Sequence, residues 1–260
     1  MSHYLKALID KREVLLFLAL KDIKIRFKFS TLGFTWAFIS PLATMIILSL
    51  VFSFIVRFGP DASPYPVFLL VALLPWTYFQ LSLNHATTSL LDNSNLIKKV
   101  YFPREIIPLG AIISNLFDFS VSLLILGVFF LAFGQPLTAW ALLFPVALAM
   151  EIVFTAGIAL FLSGLTVVYR DIKYIKELLL LFWFYASPVF YPESLIPGWL
   201  RPFYFLNPMA GILHVFRASL FYGQAPSWPV FVYTLIAAVA MLVWGFRMFK
   251  RYEPLYADLV

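Results

Sequence analysis

Cysteine is absent from this sequence of 260 residues, and charged side chains are scarce. The absence of cysteine excludes disulfide bonds and thiolate metal sites, although it does not identify a compartment. Charged residues make up 12% of the chain, against about 25% in a typical soluble domain, and hydrophobic residues make up 62%. Apolar windows of about twenty residues recur along the whole length. The composition therefore excludes a separate soluble domain and predicts a polytopic membrane protein.

Motifs for catalysis and nucleotide binding are also missing. The sequence contains no G-x-x-x-x-G-K-[ST] segment, so we do not expect it to bind ATP through a P-loop. It contains no Ser-His-Asp signature and no nucleophile elbow, and neither His85 nor His214 has a second ligand at metal-binding spacing. We therefore predict no catalytic residue and no metal site, and we interpret both histidines as packing residues. The net charge of +6 is interpreted as a topology signal and not as a sign of nucleic-acid binding.

Six apolar stretches are predicted to span the membrane as helices. They are residues 34–56, 66–91, 106–133, 140–168, 178–190 and 230–249. The N-terminus shows no cleavable signal pattern, so the first span is expected to direct insertion. The predicted fold is an all-α integral membrane protein with one domain over residues 1–260, in which 34–249 hold the six spans. Residues 1–33 and 250–260 are predicted to be cytoplasmic ends.

The distribution of Lys and Arg predicts the orientation of these spans. Sixteen of the 19 basic residues fall in the N-terminal segment, in the 92–105 and 169–177 segments and at the C-terminal end. Arg57, Arg201 and Arg217 fall on the other side. Because cytoplasmic segments carry the excess of positive charge, both termini are predicted to be cytoplasmic, with an even number of spans.

The basic N-terminal segment, residues 1–33, is predicted to contain an amphipathic helix in the membrane interface. On a helix Leu16, Leu20, Ile23 and Phe27 form one stripe, and Lys21, Lys24 and Lys28 form another. Such a helix lies with its apolar side in the membrane. The alternative is a short strand, because residues 23–29 also alternate apolar and basic.

A broken element follows the charged run 169–177. The apolar stretch 178–190 is short for a bilayer, and prolines then interrupt the apolar and aromatic residues up to Tyr222. Irregular backbone at membrane depth must be surrounded by protein or by a water-filled cavity, so a re-entrant turn beside a path is predicted. Aromatic rings that can stack on sugars are predicted to line that path, with interfacial aromatic belts as the alternative. These residues are Trp36, Phe38, Phe182, Trp183, Tyr185, Phe190 and Tyr191.

The polar segment 92–105 is predicted to form a short helix outside the membrane. Residues 92–94 are good N-caps, and Pro103 is a good stop. A short capped helix carrying Tyr101, Phe102 and Arg104 can dock into a groove of a cytoplasmic partner. The alternative is a solvated loop.

Two acids, Asp118 and Glu151, fall well inside predicted spans. An Asp at the centre of a membrane helix costs about 2.5–3.5 kcal/mol on insertion scales, so each acid is expected to face a partner or water. No Lys or Arg is predicted to lie beside them within the membrane. They are interpreted as polar contacts between helices, and a proton or ion relay is the alternative.

Four motifs, taken together and in order, resemble the ABC-2 type permeases, and most closely the subgroup that exports polysaccharides such as lipid-linked O-antigen. The motifs are KDIKIRFKFSTLGFTWAFISPL (21–42), NLIKKVYFPREIIPL (95–109), GLTVVYRDIKYI (164–175), and SPVFYP (187–192) with LNPM (206–209). The resemblance covers nearly the whole chain.

This resemblance implies an interface helix at about 13–31, a coupling helix at about 92–104 and periplasmic gate helices at about 192–222. It implies a homodimer that works in the bacterial inner membrane with two separate ATPase subunits, which hold the ATP and Mg²⁺, and with the first and fifth spans lining the channel. The implied coupling residues are Asn95, Lys98, Tyr101, Phe102, Pro103, Arg104 and Glu105. The implied gate residues are Pro188, Pro192, Pro197, Trp199, Arg201, Asn207 and Pro208.

Alternative functions remain open at this point. The same family also exports teichoic acid precursors, lipids and drugs. An ion-coupled secondary transporter would use Asp118 and Glu151, and it would show internal symmetry, of which no convincing repeat is visible. A membrane-embedded glycosyltransferase would need a carboxylate-metal or phosphate-binding loop, and the sequence shows none.

Overall fold

A computed structural model gives the fold and describes residues 11–28, 33–52, 60–99 and 102–259. The regular elements within these ranges are all helices. The α-helices are α1 (Arg12–Lys28), α2 (Trp36–Val51), α3 (Tyr65–Asp92), α4 (Ser94–Lys99), α5 (Ile106–Ala132), α6 (Phe144–Val168), α7 (Ile172–Tyr185), α8 (Arg201–Tyr204), α9 (Pro208–Phe216) and α10 (Trp228–Leu259). A π-helix, Arg217–Phe221, continues α9.

Four helices of the described ranges are long and apolar enough to cross a membrane. They are Tyr65–Asp92, Ile106–Ala132, Ala139–Val168 and Trp228–Tyr256. Each coincides with one of the predicted spans, because long uninterrupted apolar runs leave a helix as the only local structure that satisfies the backbone in lipid. The prediction of an all-α membrane protein with several spans is confirmed.

The first and fifth predicted spans correspond to shorter helices. α2 has 16 residues, and the end of the predicted span, residues 53–56, lies outside the described part of the chain. α7 has 14 residues, which at 1.5 Å per residue is about 21 Å, less than the bilayer core of about 30 Å. The total of six spans therefore remains a prediction.

Helix α3 forms the centre of the bundle. Its residues 67–74 are no more than 2% exposed, and it packs against α5, α6, α2 and α9. A helix that is apolar on all sides is stable only when neighbours surround it. α10 lies against α6 at Gly157 and Gly245, where a Cβ on either glycine would collide with backbone of the other helix. These small residues bring the two backbones into direct contact, as in many membrane bundles.

Helix α1 confirms a helix over the basic N-terminal segment, and the strand alternative is wrong for residues 12–28. Its Leu18 and Ala19 are buried against α5, where Leu18 lies beside Gly110. Leu16 and Leu20 of the predicted apolar stripe are more than half exposed, on a face that is free to meet lipid. The helix therefore packs on the bundle along one side, a contact that the stripe did not predict.

The last helix continues beyond the predicted span end at residue 249. α10 extends to Leu259, so residues 250–259 are helical and do not form an irregular tail. Tyr256 is fully buried, its hydroxyl donates to the carbonyl oxygen of Phe249 (2.9 Å), and its ring lies over Gly164 of α6. This packing fixes the C-terminal extension against the bundle.

Candidate functional site

A groove with polar walls, here called the polar groove, lies between α2, α3 and α7. It encloses about 520 Å³. One wall carries three polar residues of α3, Thr77, Gln80 and Asn84, and α2 contributes Ser40 and Thr44. Polar side chains within spans of this kind usually face a cavity or a partner instead of lipid.

The polar stripe of α3 has free hydrogen-bonding capacity. Gln80 is exposed, and Asn84 Oδ1 has no hydrogen-bond partner among the described residues. Amide and hydroxyl groups both donate and accept, so they suit a ligand rich in hydroxyl groups. We did not single out these residues in the sequence, although their spacing of three and four is the helical signal for one face.

The seven aromatic residues predicted to line one path do not lie together in the single chain, and their place along a path remains a prediction. Tyr185 lines the polar groove, whereas Phe182 and Trp183 lie along a different, apolar groove. Trp36 borders a third cavity, and Phe38 packs against the hydrophobic core. Successive residues of a helix point about 100° apart, so the aromatic side chains of α7 cannot all face one path.

The remaining two aromatic residues of that set are structural. The Phe190 ring stacks on Phe52, with the ring centroids 4.9 Å apart. The Tyr191 hydroxyl lies 2.9 Å from the Tyr204 hydroxyl. Burial raises the pKa of both phenols, so both stay protonated.

Arg217 holds the turn that follows α7 against the bundle. Its side chain is 1% exposed, and its guanidinium donates to the carbonyl oxygens of Val189 (2.8 Å) and Tyr191 (3.2 Å). The guanidinium also lies over the Phe68 ring, 3.8 Å from its centroid. One buried cation thus joins the π-helix, the turn and α3. The sequence prediction treated Arg217 only as an orientation charge.

Among the predicted gate residues, Asn207 makes the most side-chain hydrogen bonds. Its Oδ1 accepts from the backbone N–H of Met209 (3.0 Å), which caps α9, and from Trp183 Nε1 (2.7 Å). Its amide nitrogen donates to Ser187 Oγ (2.9 Å). Pro208 occupies the first turn of α9, where its missing N–H costs nothing. Asn207 therefore links α7, the turn and α9.

The other predicted gate residues divide by exposure. Pro188 and Pro192 are buried, while Pro197, Trp199 and Arg201 are exposed on the segment between the turn and α9. Within this region Nδ1 of His214 lies 2.9 Å from Glu193, and its Nε2 accepts from the backbone N–H of Ser227. His214 therefore has a structural role, in agreement with its interpretation as a packing residue.

The short helix predicted in the polar segment exists as α4, and its coupling role remains a prediction. Asn95, Lys98 and Lys99 are exposed on it, and Ile97 is buried against the bundle. Tyr101 lies outside the described residues. The exposed face of α4 is therefore free to contact a partner.

Three predicted coupling residues after α4 face the bundle in the single chain. Phe102 is 8% exposed and Glu105 is 1% exposed. Glu105 Oε2 accepts from Lys250 Nζ (2.9 Å), and Arg104 donates to the carbonyl oxygen of Glu253 (2.6 Å). We call the contacts of Arg104 and Glu105 with Lys250 and Glu253 the C-terminal latch. Phe102 and Glu105 are therefore buried in the single chain, and their direct contact with a partner remains a prediction. Pro103, between them, is half-buried.

Asp118 has a cationic partner that the sequence did not predict. Arg26 of α1 forms an ion pair with Asp118 of α5, and its second nitrogen donates to Asn115 Oδ1 (3.1 Å) and His85 Nδ1 (3.2 Å). The expectation that no cation lies beside the acid is wrong, because α1 packs deeply enough on α5 to bring in Arg26. The interpretation of Asp118 as a polar contact between helices is supported.

Glu151 remains without such a contact. It is fully buried on α6, and neither carboxyl oxygen has a hydrogen-bond partner among the described residues. Within the same part of the chain, no group of three His, Cys, Asp or Glu side chains is placed to hold a metal ion. An ion relay would need both acids to be available for protons or ions. Asp118 is paired with Arg26, which argues against such a relay.

The described residues form long packed helices with a polar groove between them, and a short basic helix is exposed. These features are those of a polytopic membrane protein of the permease type. Residues 13–221 match the ABC-2 type transporter family. The O-antigen export system permease protein of Myxococcus xanthus is 31% identical and covers 94% of both chains. That of Klebsiella pneumoniae is 27% identical over 95% of both chains. The polysialic acid transport protein of Escherichia coli is 24% identical, over 91% of this chain and 92% of its own.

The chain belongs to the ABC-2 type transporter family. It is a membrane permease subunit and not an enzyme, since the family and these relatives are permeases. The resemblance based on four sequence motifs is confirmed.

Proposed function

We propose that this chain is the permease of an ATP-driven exporter that moves a lipid-linked, O-antigen-type polysaccharide out of the cytoplasm across the inner membrane. The observation that carries the proposal is the match over almost full length with permeases named for O-antigen export. ATP and Mg²⁺ belong to a separate ATPase subunit in this proposal. In this proposal the chain crosses the membrane six times, and both termini lie in the cytoplasm.

The polar groove is the part of the chain suited to carry a glycan. Its hydroxyl and amide groups can exchange hydrogen bonds with sugar hydroxyls, and Glu177 adds one carboxylate to the lining. Tyr185 adds one aromatic face to this wall. α2 and α7, the first and fifth spans, border the groove. Two copies that face each other through these helices would enclose it, which supports a homodimer as the transporting unit.

The exposed face of α4 is proposed to dock the ATPase subunit. Replacing Lys98 and Lys99 together by Glu turns a basic surface acidic without touching the buried Ile97. Because reversed charges at an interface change attraction to repulsion, we expect about tenfold less ATPase subunit to co-purify and export to fall in proportion. Arg170→Glu, at another exposed cation, is the control. Unchanged co-purification in the Lys98/Lys99 variant would remove α4 as the docking surface.

Deletion of the gene tests the proposed cargo. Cells that lack the permease are expected to lose the surface polysaccharide and to accumulate its lipid-linked form inside. The chain supplied in trans is expected to reverse both effects. A deletion strain with normal surface polysaccharide would contradict the proposal, and loss of a teichoic acid or another lipid in its place would reassign the cargo.

A further inference from the structure

A second groove, here called the apolar groove, runs along the opposite side of α7 from the polar groove. It encloses about 750 Å³ between α6, α7 and α10, with smaller contributions from α3 and from the start of α9. Its walls are almost entirely carbon. Among the residues that line it are Ile158, Leu162, Leu179, Trp183, Met241 and Trp244.

One charged side chain, Lys176, lines this groove among the described residues. Lys176 is 5% exposed, and the described part of the chain offers it no hydrogen bond or ion pair. Its neighbour Glu177 lies on the polar groove, on the other side of α7. The Lys176 ammonium nitrogen is not among the buried polar atoms of the described residues that lack a partner, so it reaches the surface, where an anionic group can meet it.

The dimensions of the apolar groove match one leaflet of a bilayer. Along α6 the lining extends from Phe154 to Leu165, about 16 Å at 1.5 Å per residue, which is roughly half of a core of about 30 Å. Trp183, about two turns further along α7 than Lys176, lines the groove and donates a hydrogen bond to Asn207 (2.7 Å). A molecule in this groove therefore has an apolar chain of one leaflet's length and an anionic head at Lys176.

We propose that the apolar groove binds an acyl chain of an anionic phospholipid, with its phosphate at Lys176. The lining along α6 has about the length of one leaflet, which fits an acyl chain of a membrane phospholipid, so the occupant is a resident membrane lipid. Binding itself does not depend on the proposed transport function. The assignment to the cytoplasmic leaflet rests on the proposed orientation, because Lys176 belongs to the charged run at the start of α7.

Native mass spectrometry of the purified full-length chain with added dioleoyl phosphatidylglycerol or phosphatidylcholine tests the head-group contact. Wild-type protein is expected to retain more phosphatidylglycerol than phosphatidylcholine. The substitution Lys176→Gln is expected to lower the affinity for phosphatidylglycerol about tenfold, as for loss of one charged hydrogen bond. Lys173→Gln, one turn earlier and outside the groove, is the control. Equal retention of the two lipids by wild type, or unchanged phosphatidylglycerol binding in Lys176→Gln, would overturn the proposal.

A second pair of variants tests the chain contact without changing charge. Leu179→Trp adds bulk at a position that lines the apolar groove, whereas Leu178→Trp adds the same ring outside it, and both leucines are exposed in the single chain. Leu179→Trp is expected to bind less phosphatidylglycerol than Leu178→Trp, with both proteins eluting as wild type does in size exclusion. Equal binding by the two variants would contradict the proposal. Displacement of phosphatidylglycerol by an equal concentration of undecaprenyl phosphate would overturn the choice of a resident phospholipid.

Discussion

Glu105→Lys is expected to lower export about 100-fold while the protein still inserts into the membrane. Glu105 is 1% exposed and pairs with Lys250 in the C-terminal latch, so the substitution places two ammonium groups together. Loss of one partner of a buried ion pair typically costs about 3–5 kcal/mol, and about 3 kcal/mol corresponds to more than a hundredfold change in an equilibrium. Export per permease molecule, normalised by immunoblot of the membrane fraction, is the measurement.

The matched double variant separates the pair from either residue alone. Glu105→Lys combined with Lys250→Glu restores opposite charges, and we expect it to recover a substantial part of the lost export. Recovery is incomplete because Glu253 also lies 2.9 Å from Lys250 and would then face a second acid. Arg251→Glu, at the exposed neighbouring position, should export as wild type does. Full export by Glu105→Lys, or no recovery in the double variant, would contradict the latch.

Arg217→Met is expected to lower the melting temperature of the purified protein by about 5–10 °C. The methionine keeps much of the apolar stem but leaves two carbonyl oxygens, of Val189 and Tyr191, without their donor. An unsatisfied buried polar group costs about 1–3 kcal/mol, and each kcal/mol shifts the melting temperature of a chain of this size by roughly 2–4 °C. Differential scanning fluorimetry in detergent gives the shift.

Two further substitutions make the Arg217 experiment specific. Arg217→Lys keeps the charge but presents a single ammonium in place of a planar fork, so an intermediate shift is expected. Arg201→Met removes an exposed cation from the same region and should leave the melting temperature unchanged. If Arg217→Met and Arg201→Met melt together, Arg217 does not hold the turn.

Both of these predictions concern contacts between residues far apart in the sequence. Lys250 and Glu105 are separated by 145 positions, and Arg217 and Val189 by 28. The sequence shows the charged residues themselves. It does not show which of them meet, because that depends on how the helices pack across the bundle. The same reason applies to Phe102, which is buried in a cluster that includes Phe249 and Tyr256 of the C-terminal helix.

Long helices were predictable because their signal is local. The predicted span 106–133 and the helix Ile106–Ala132 nearly coincide, since one apolar run with clear ends determines both. The short helices α2 and α7 were harder to place, because prolines and charges interrupt their apolar runs. For the site, the exposed residues of α4 followed from capping and charge, whereas the polar groove needed the three-dimensional arrangement of α2, α3 and α7.

Translocation by the purified complex tests the central claim most directly. The permease and its ATPase subunit are placed in proteoliposomes, lipid-linked polysaccharide is supplied on the ATPase side, and its arrival in the lumen is measured by protection from an added glycosidase. We predict protection that requires ATP, the permease and a hydrolysis-competent ATPase subunit together. Protection with the permease alone, or with an ATPase subunit that cannot hydrolyse ATP, would contradict the account.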